Sequence, residues 1–561
     1  LSRLIEVGSE RAGALALDAR ERGLAETLER YAVVFLVMLV AVGFTLRVGG
    51  VSRLGFAEDE INKLEAVRAY SRGDYTGNAE HPMLMKAFVF ASVASAHAWN
   101  SVAPEELHAS DETALRLPNV VFGSLTVFPI FLLAAAFFGR RTGLIAAAMW
   151  AFGVGAITYN RVAKEDTLLV FFLLFALYFY VVAKRTSGFD QKRKLRNYVL
   201  SGASWGLMLA SKYFPHYFAL NMLYHHFFRV RGERAVGEPR GNTPPLFYAV
   251  VVVAFLVANP AVLLPQTLHY LNTYSTEQLL THHGYLMGET LYHNVLSKAP
   301  FGATPVYFYA LYLLIKTPLP LLASFVAGLY VLARRWREPG AGFMLLMFLF
   351  WIVPYSLAGA KWLRYTLSLM PFVYIIAAVG VVALTRALLR ALKISRERRL
   401  ASFIGAASLS LFIGVPAFAA FMAAPHYALY TNALAPNSAG YYFPHDELYD
   451  DGLREAIRFV AEHAPERAVV AHETPGVVRY YLERYNRADL QSRTISDPNF
   501  DVTAESTNVF VILQRGRTYF ENRDEMEAVR ARFTLEQQVV INGVVAAEVY
   551  SRAANPNGQE N

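Results

Sequence analysis

Cysteine is absent from all 561 residues, which excludes disulfides, thiolate catalysis and cysteine-ligated zinc. Stability must therefore come from packing, any metal must take oxygen or nitrogen ligands, and the redox compartment stays undetermined. Charge is scarce too: charged residues make up 17% against 55% apolar, with a mean hydropathy of +0.28. An ordinary soluble chain of this length is not so poor in charge, and the composition is that of a polytopic membrane protein. There is no internal repeat, and residues 1–30, which mix Arg with Asp and Glu, lack the small-residue cleavage site of a signal peptide. They read as a cytoplasmic amphipathic segment. The formal charge of +8 is not a nucleic-acid signature, because the excess sits in short loops between apolar runs.

What is present is a series of apolar runs, at 31–47, 117–138, 143–160, 167–183, 198–212, 213–228, 246–264, 305–333, 342–359, 363–388 and 401–423. They predict a mainly α fold with about eleven transmembrane helices within 31–424. The run 83–99 holds Lys86 and His97 and is flanked by acids, so it reads as a helix lying on the outer surface. The loops 140–141, 184–196, 229–240, 334–337 and 386–399 hold 21 Lys and Arg, and the opposite loops hold roughly half as many over more residues. The first set is then cytoplasmic, which puts the N-terminus inside and the loops 49–115 and 265–304 outside. After Pro425 the composition turns water-soluble. Helical patterns at 453–463, in VVRYYLERY and near 526–533 alternate with strand-like RAVVAH and NVFVILQ, and QQVVINGVVAAEVY reads as a hairpin turning at Asn542-Gly543. Residues 425–561 are expected to form a small α/β domain on the outer side.

That topology gathers polar residues on one face. The stretch FAEDEINKLEAVRAYSRGDYTGNAEHPMLMK carries Glu58, Asp59 and Glu60, then His81 and Lys86. From charge alone such a run is a solvated acidic loop; opposite charges facing it across a cavity would make it a site. The facing candidates are Arg161, Lys212, Lys361 and Arg364. Asp166 in YNRVAKEDT also suits a helix N-terminus, and Lys212 in LASKYF also suits snorkelling to the interface. Lys361 and Arg364, in AKWLRYTLSLMP, lie against the positive-inside tendency and suit an anion. His282 and His283, with Glu289 and His293, match no compact zinc spacing and read as sugar contacts or loop structure, so no metal site is assigned.

The order of a DE pair after the first span, HP-x-L-x-K, RLPNVVFGSLTV, GRRTGLIAA, R-x4-D before a span, GxxLASKYF and KWLRYTL resembles the GT-C membrane glycosyltransferases. Within them the chain is similar to the branch of dolichyl-phosphate-mannose protein O-mannosyltransferases and lipid A aminoarabinose transferases, over roughly residues 31–390. The resemblance implies a transfer of sugar from a polyprenyl phosphate to a protein or lipid hydroxyl on the outer face of the cell's inner membrane, with inversion. It implies Asp59 as base, Glu60 and Asp166 orienting acceptor or sugar, and the donor phosphate on a subset of Arg161, Lys212, Lys361 and Arg364. His81, Lys86, His282, His283 and Tyr365 are the candidates for sugar contact. Met83 and Met85 depart from the HPPLGK form of the O-mannosyltransferases, which leaves the subgroup open. No cofactor is assigned and a divalent metal is left open. The rival readings are a lipid-linked sugar transporter, which would show inverted repeats and broken helices, and a non-catalytic assembly subunit, which would lack a required acid.

Overall fold

The computed structural model describes residues 31–187, 189–228, 243–273, 284–295, 302–338, 340–393, 398–505 and 507–553. Residues 1–30 and the pair His282-His283 lie outside them.

Most of the chain is helical, as the apolar runs require. Among the described residues five helices are long and apolar enough to cross a membrane: Ala32–Arg53, Glu105–Phe138, Asp166–Arg185, Met370–Ala391 and Arg399–Ala423. Arg140–Phe152 and Val154–Asn160, bent by 57°, make a sixth if they form one span. Three shorter apolar helices, Pro245–Ala258, Leu319–Arg334 and Ala341–Leu357, lie beside them. Length and composition therefore do not by themselves give the eleven crossings expected. Several expected runs are interrupted: 305–333 divides into Phe308–Lys316 and Leu319–Arg334 at Thr317-Pro318, where proline has no N–H for a helical bond. Met83–Asn100 is a helix and is not one of the apolar candidates.

With lipid on one side, helices gain little from the hydrophobic effect and pack by close approach. Leu319–Arg334 and Met370–Ala391 do so through Gly328 and Gly380. A Cβ on Gly328 would lie 1.9 Å from the Ile376 carbonyl oxygen, and one on Gly380 would lie 1.8 Å from that of Ser324. Either added methyl would force the pair apart.

The C-terminal region is an α/β unit. Its five-stranded sheet uses β3 (Val469–His472), β4 (Gln491–Thr494), β5 (Val509–Leu513), β6 (Thr534–Ile541) and β7 (Val544–Arg552) in the order β4-β3-β5-β7-β6. β3 runs parallel to β4 and β5, and β7 antiparallel to β5 and β6. Asn542 and Gly543 turn the hairpin with φ of 49° and 80°, the left-handed geometry their sequence suits. β4, in QSRT, alternates too weakly to be read as a strand beforehand. Helix Leu453–His463 buries Leu453, Ala456, Ile457, Val460 and Ala461, one stripe at helical spacing. This stripe does not face the sheet alone. Phe56, Ile61, Leu64 and Val67 of the loop after the first span share one apolar core with Ile457, Val477, Val478 and Tyr481. That loop and the C-terminal unit are thus packed as one body against the membrane helices, and the candidate site forms where they meet.

Candidate active site

A helix begins at Glu58 and runs to Tyr70. Its first turn holds all three acids, which suits the positive end of the helix dipole. Successive helical residues point about 100° apart, so three consecutive carboxylates cannot serve one place. They go three ways.

Glu60 turns inward. It accepts from Arg116 Nε at 2.8 Å and from Arg116 Nη2 at 2.5 Å. It also accepts from the backbone N–H of Ala163 at 2.9 Å and of Ala57 at 3.1 Å, the latter closing the helix start. Arg116, from the RLPNVV segment, spends its remaining donors on the carbonyls of Val51, Leu54 and Gly55. The Glu60 side chain is 0% exposed, and four donors occupy its two oxygens. It is a closed clamp between the loop after the first span and the membrane helices. Glu58 turns outward to Arg517 of the C-terminal unit, 2.7 Å away.

Asp59, with 28% of its side chain exposed, is held by three residues that line a cleft, Lys164, Arg364 and Tyr449. Its Oδ2 lies 3.0 Å from Lys164 Nζ and 3.1 Å from Arg364 Nη1, and accepts a 2.5 Å hydrogen bond from the Tyr449 hydroxyl. Burial works to raise its pKa, but Lys164, Arg364 and Lys63, with the Tyr449 hydroxyl, pull it well below the usual carboxylate range. It is an ionised carboxylate held by two cations. The cleft beside it is narrow, about 10 Å³, room for roughly one water, partly open to solvent and lined by Tyr159, Val162, Lys164, Asp166, Arg364, Asp446 and Tyr449.

The segment 161–166 is shaped to present Lys164 and Asp166 there. Asn119 donates to the carbonyls of Val162 and Lys164, the latter at 2.7 Å, while Glu60 takes the Ala163 N–H. Pinned on both sides, the loop aims Lys164 at Asp59. Asp166 opens the span Asp166–Arg185, and its Oδ1 is 2.7 Å from Lys212 Nζ. Its Oδ2 is buried, has no hydrogen-bond partner among the described residues, and belongs to the pocket wall. The Lys212 ammonium also lies 4.6 Å from the ring centres of Phe214 and Tyr365.

The other candidates divide. Arg364 and Tyr365 sit in the short helix Leu363–Ser368, with the Arg364 guanidinium 5.6 Å from the ring centres of both Trp362 and Tyr365 and its Nε without a hydrogen-bond partner among the described residues. Arg161 is not in the pocket wall. It donates to the carbonyls of Leu46 and Gly49 and stacks 5.0 Å from the Tyr427 ring, bracing the end of the first span. Lys361 is 0% exposed and donates to the carbonyls of Thr304 and Ala358. Lys86 donates to the carbonyls of Gly77, Asn78 and His81, closing its own loop. His81 is 3.9 Å from Glu165, and burial holds its pKa well below the ordinary value, so it is neutral. Among the described residues no three His, Asp or Glu side chains are grouped to hold a metal ion.

Sequence reasoning passed over Lys164, Asp446 and Tyr449. Lys164 stood in the quoted segment just ahead of the acids at 165 and 166 and gave no separate signal. Asp446 and Tyr449 belong to HDELYDDG, a cluster of acids in a soluble stretch far along the chain. Its density of acids was the only available hint. Asp446 is buried and its pKa is pushed up to about 6 by that burial, with Tyr285, Arg364 and the Leu363 N–H opposing.

Residues 94–264 match the family model described as dolichyl-phosphate-mannose-protein mannosyltransferase. No curated protein sequence matches the chain. Among solved structures the chain is similar to ArnT from Cupriavidus metallidurans in the apo state, at 14% identity over 94% of this chain and 98% of that one, with a TM-score of 0.50. The chain has the GT-C fold. It is a multi-pass membrane protein of the architecture that GT-C glycosyltransferases share, as the resemblance in its motifs implied. ArnT bound to undecaprenyl phosphate is also similar, at 14% identity over 93% of this chain and 98% of that one, TM-score 0.46. So is the archaeal oligosaccharyltransferase AglB from Archaeoglobus fulgidus, solved with an inhibitory peptide and a dolichol-phosphate, at 12% identity over 86% and 70%, TM-score 0.45.

Proposed function

We propose that this GT-C protein transfers a sugar from a polyprenyl-phosphate donor to a hydroxyl acceptor, protein or lipid, at the outer face of the inner membrane, with inversion. The observation that carries the reading is one ionised carboxylate, Asp59, held by Lys164 and Arg364 beside a pocket. The excess of Lys and Arg in alternate loops supports a cytoplasmic N-terminus and an outer C-terminal unit.

The chemistry needs two things: positive charge for the departing phosphate and an acceptor for the attacking hydroxyl's proton. The acceptor oxygen forms its bond to the anomeric carbon from the face opposite the phosphate. The anomeric carbon–oxygen bond breaks, its electron pair leaves on the polyprenyl phosphate, and the hydroxyl proton passes to Asp59. Attack from the opposite face inverts the centre.

In the resting arrangement Asp59 is a weak base, because the cations that the phosphate needs are on it. The donor phosphate and Asp59 compete for Arg364 and Lys164. Phosphate binding draws these cations off the carboxylate, and Asp59 becomes more basic in the same event. Lys212 stays paired with Asp166, whose open Oδ2 is the group left to accept from a sugar hydroxyl. Glu60, Arg161, Lys361 and Lys86 support the frame.

The test is transfer itself. Purified Asp59→Asn protein, supplied with labelled polyprenyl-phosphate sugar and membrane acceptors, is expected to release no polyprenyl phosphate while still folding. Release at the parent rate would remove Asp59, and with it this reading.

A further inference from the structure

The segment that follows the last span crosses the site before entering the C-terminal sheet. Residues 444–452 comprise the short helix Pro444–Leu448 and the turn behind it. Each polar side chain from 445 to 451 has a fixed partner. His445 bonds the Gly516 carbonyl at 2.9 Å, and Asp446 accepts from the Leu363 N–H at 2.9 Å and the Tyr285 hydroxyl at 2.6 Å. Glu447 lies 2.9 Å from Lys316 Nζ. Asp450 takes Arg517 Nε and Nη2 at 2.8 and 2.5 Å and the Glu58 N–H at 3.0 Å, and Asp451 pairs with His426 at 2.6 Å.

Between these anchors two consecutive residues, Tyr449 and Asp450, hold left-handed backbone, with φ of 41° and 65°. Neither is glycine, so the conformation carries a steric cost that the anchors must offset. In that conformation the Tyr449 hydroxyl lies 2.5 Å from Asp59 Oδ2. Tyr449 is a neutral donor where the other two partners of that oxygen are cations. When a phosphate takes the cations, the phenol is the group that remains.

We propose that Tyr449 is a positioning residue of the transfer site: its hydroxyl fixes the Asp59 carboxylate while the donor phosphate draws Lys164 and Arg364 away. The C-terminal unit thereby contributes to the chemistry of the membrane domain. This rests on the competition for cations described above.

Undecaprenyl phosphate binding to the purified full chain, measured for each variant below the pH at which its Lys164 loses the proton, tests it without knowledge of the sugar. Tyr449→Phe keeps the ring and removes one hydrogen bond to a charged group, so the carboxylate clings harder to its cations. Affinity for undecaprenyl phosphate is expected to fall on the order of tenfold. Asp59→Asn frees the cations and is expected to bind more tightly. In the Asp59→Asn background Tyr449→Phe is expected to change nothing, because the group it acts through is gone. A loss that persists in that background would be structural and would overturn the proposal, as would an undiminished affinity in Tyr449→Phe alone or an Asp59→Asn protein that binds no tighter. Should Tyr449→Phe fail to fold, Asp450→Asn loosens the turn from outside the pocket. It is expected to give a smaller loss of the same sign that again vanishes with Asp59→Asn, and a loss that remains overturns the idea. Sugar transfer by Asp59→Asn, the separate result that sinks the transfer reading, is measured on the same protein.

Discussion

Two carboxylate–guanidinium pairs stand one residue apart on the same helix start and have opposite characters. Glu60 and Arg116 form a closed pair: every oxygen and every donor is used, and neither side chain is more than 3% exposed. Asp59 and Arg364 form an open pair beside a cleft, one oxygen serving three donors while the Arg364 Nε has no hydrogen-bond partner among the described residues. A closed pair maintains the fold, because breaking it strands a buried charge. An open pair is one that a ligand can enter. Saturation, rather than charge, separates the structural acid from the one proposed to act.

The largest expected effects set those two acids against each other. Asp59→Asn should lower the transfer rate by about 10²–10⁴, the usual contribution of a general base, in a protein that still folds and loses less stability than the closed pair does when broken. Glu60→Gln leaves Arg116 buried without its counter-charge and should cost about 3–5 kcal/mol of stability. Its activity should fall only in step with the folded fraction, as read by thermal unfolding and assay of the same sample. If Glu60→Gln instead stays fully folded and loses activity, the closed pair is part of the site after all.

The fold was more legible in the sequence than the site. Apolar runs marked the helices because the membrane imposes length, and the hairpin at Asn542-Gly543 followed from the left-handed turn those residues favour. The number of spans was less legible, because a proline such as Pro318 divides one apolar run into two shorter helices. For the site, reading Glu58, Asp59 and Glu60 as a loop concealed what helical geometry decides, that their side chains diverge by about 100° each. The R-x4-D spacing drew attention to Arg161 and Asp166, yet Lys164 between them is the side chain on Asp59. Arg161 braces the first span instead. Tyr449 could not be found by spacing, since 390 residues separate it from Asp59 and only the docking of the C-terminal unit brings them together.

A middle-sized effect concerns the protonation of the open pair. Burial, aided by Lys63 and Arg364, lowers the pKa of Lys164 to about 8, with Asp59 opposing. Below that value the ammonium is present to receive a phosphate; above it the charge is lost. Affinity for undecaprenyl phosphate should be flat from pH 6 to 7 and decline above pH 8, approaching about tenfold per unit. Lys164→Met should remove the break and bind weakly throughout. In Asp59→Asn the ammonium loses its counter-charge, so the break should move to lower pH. A break unmoved by Asp59→Asn would mean that the two groups do not interact as their 3.0 Å separation requires.

The smallest expected effect falls on the third acid. Glu58 pairs with Arg517 at 2.7 Å, but its side chain is 45% exposed and Arg517 keeps a second, buried partner in Asp450. A half-exposed pair of this kind contributes about 0.2–1 kcal/mol, much of it screened by salt. Glu58→Gln should therefore shift the melting temperature slightly, less at high ionic strength, and leave both transfer and undecaprenyl phosphate binding unchanged. The backbone N–H of Glu58, which donates to Asp450, survives the substitution and keeps the strap turn anchored. A marked loss of transfer in Glu58→Gln would show that the turn carrying Tyr449 depends on the outward acid as well as on Asp450, and the division between one functional acid and two structural ones would have to be redrawn.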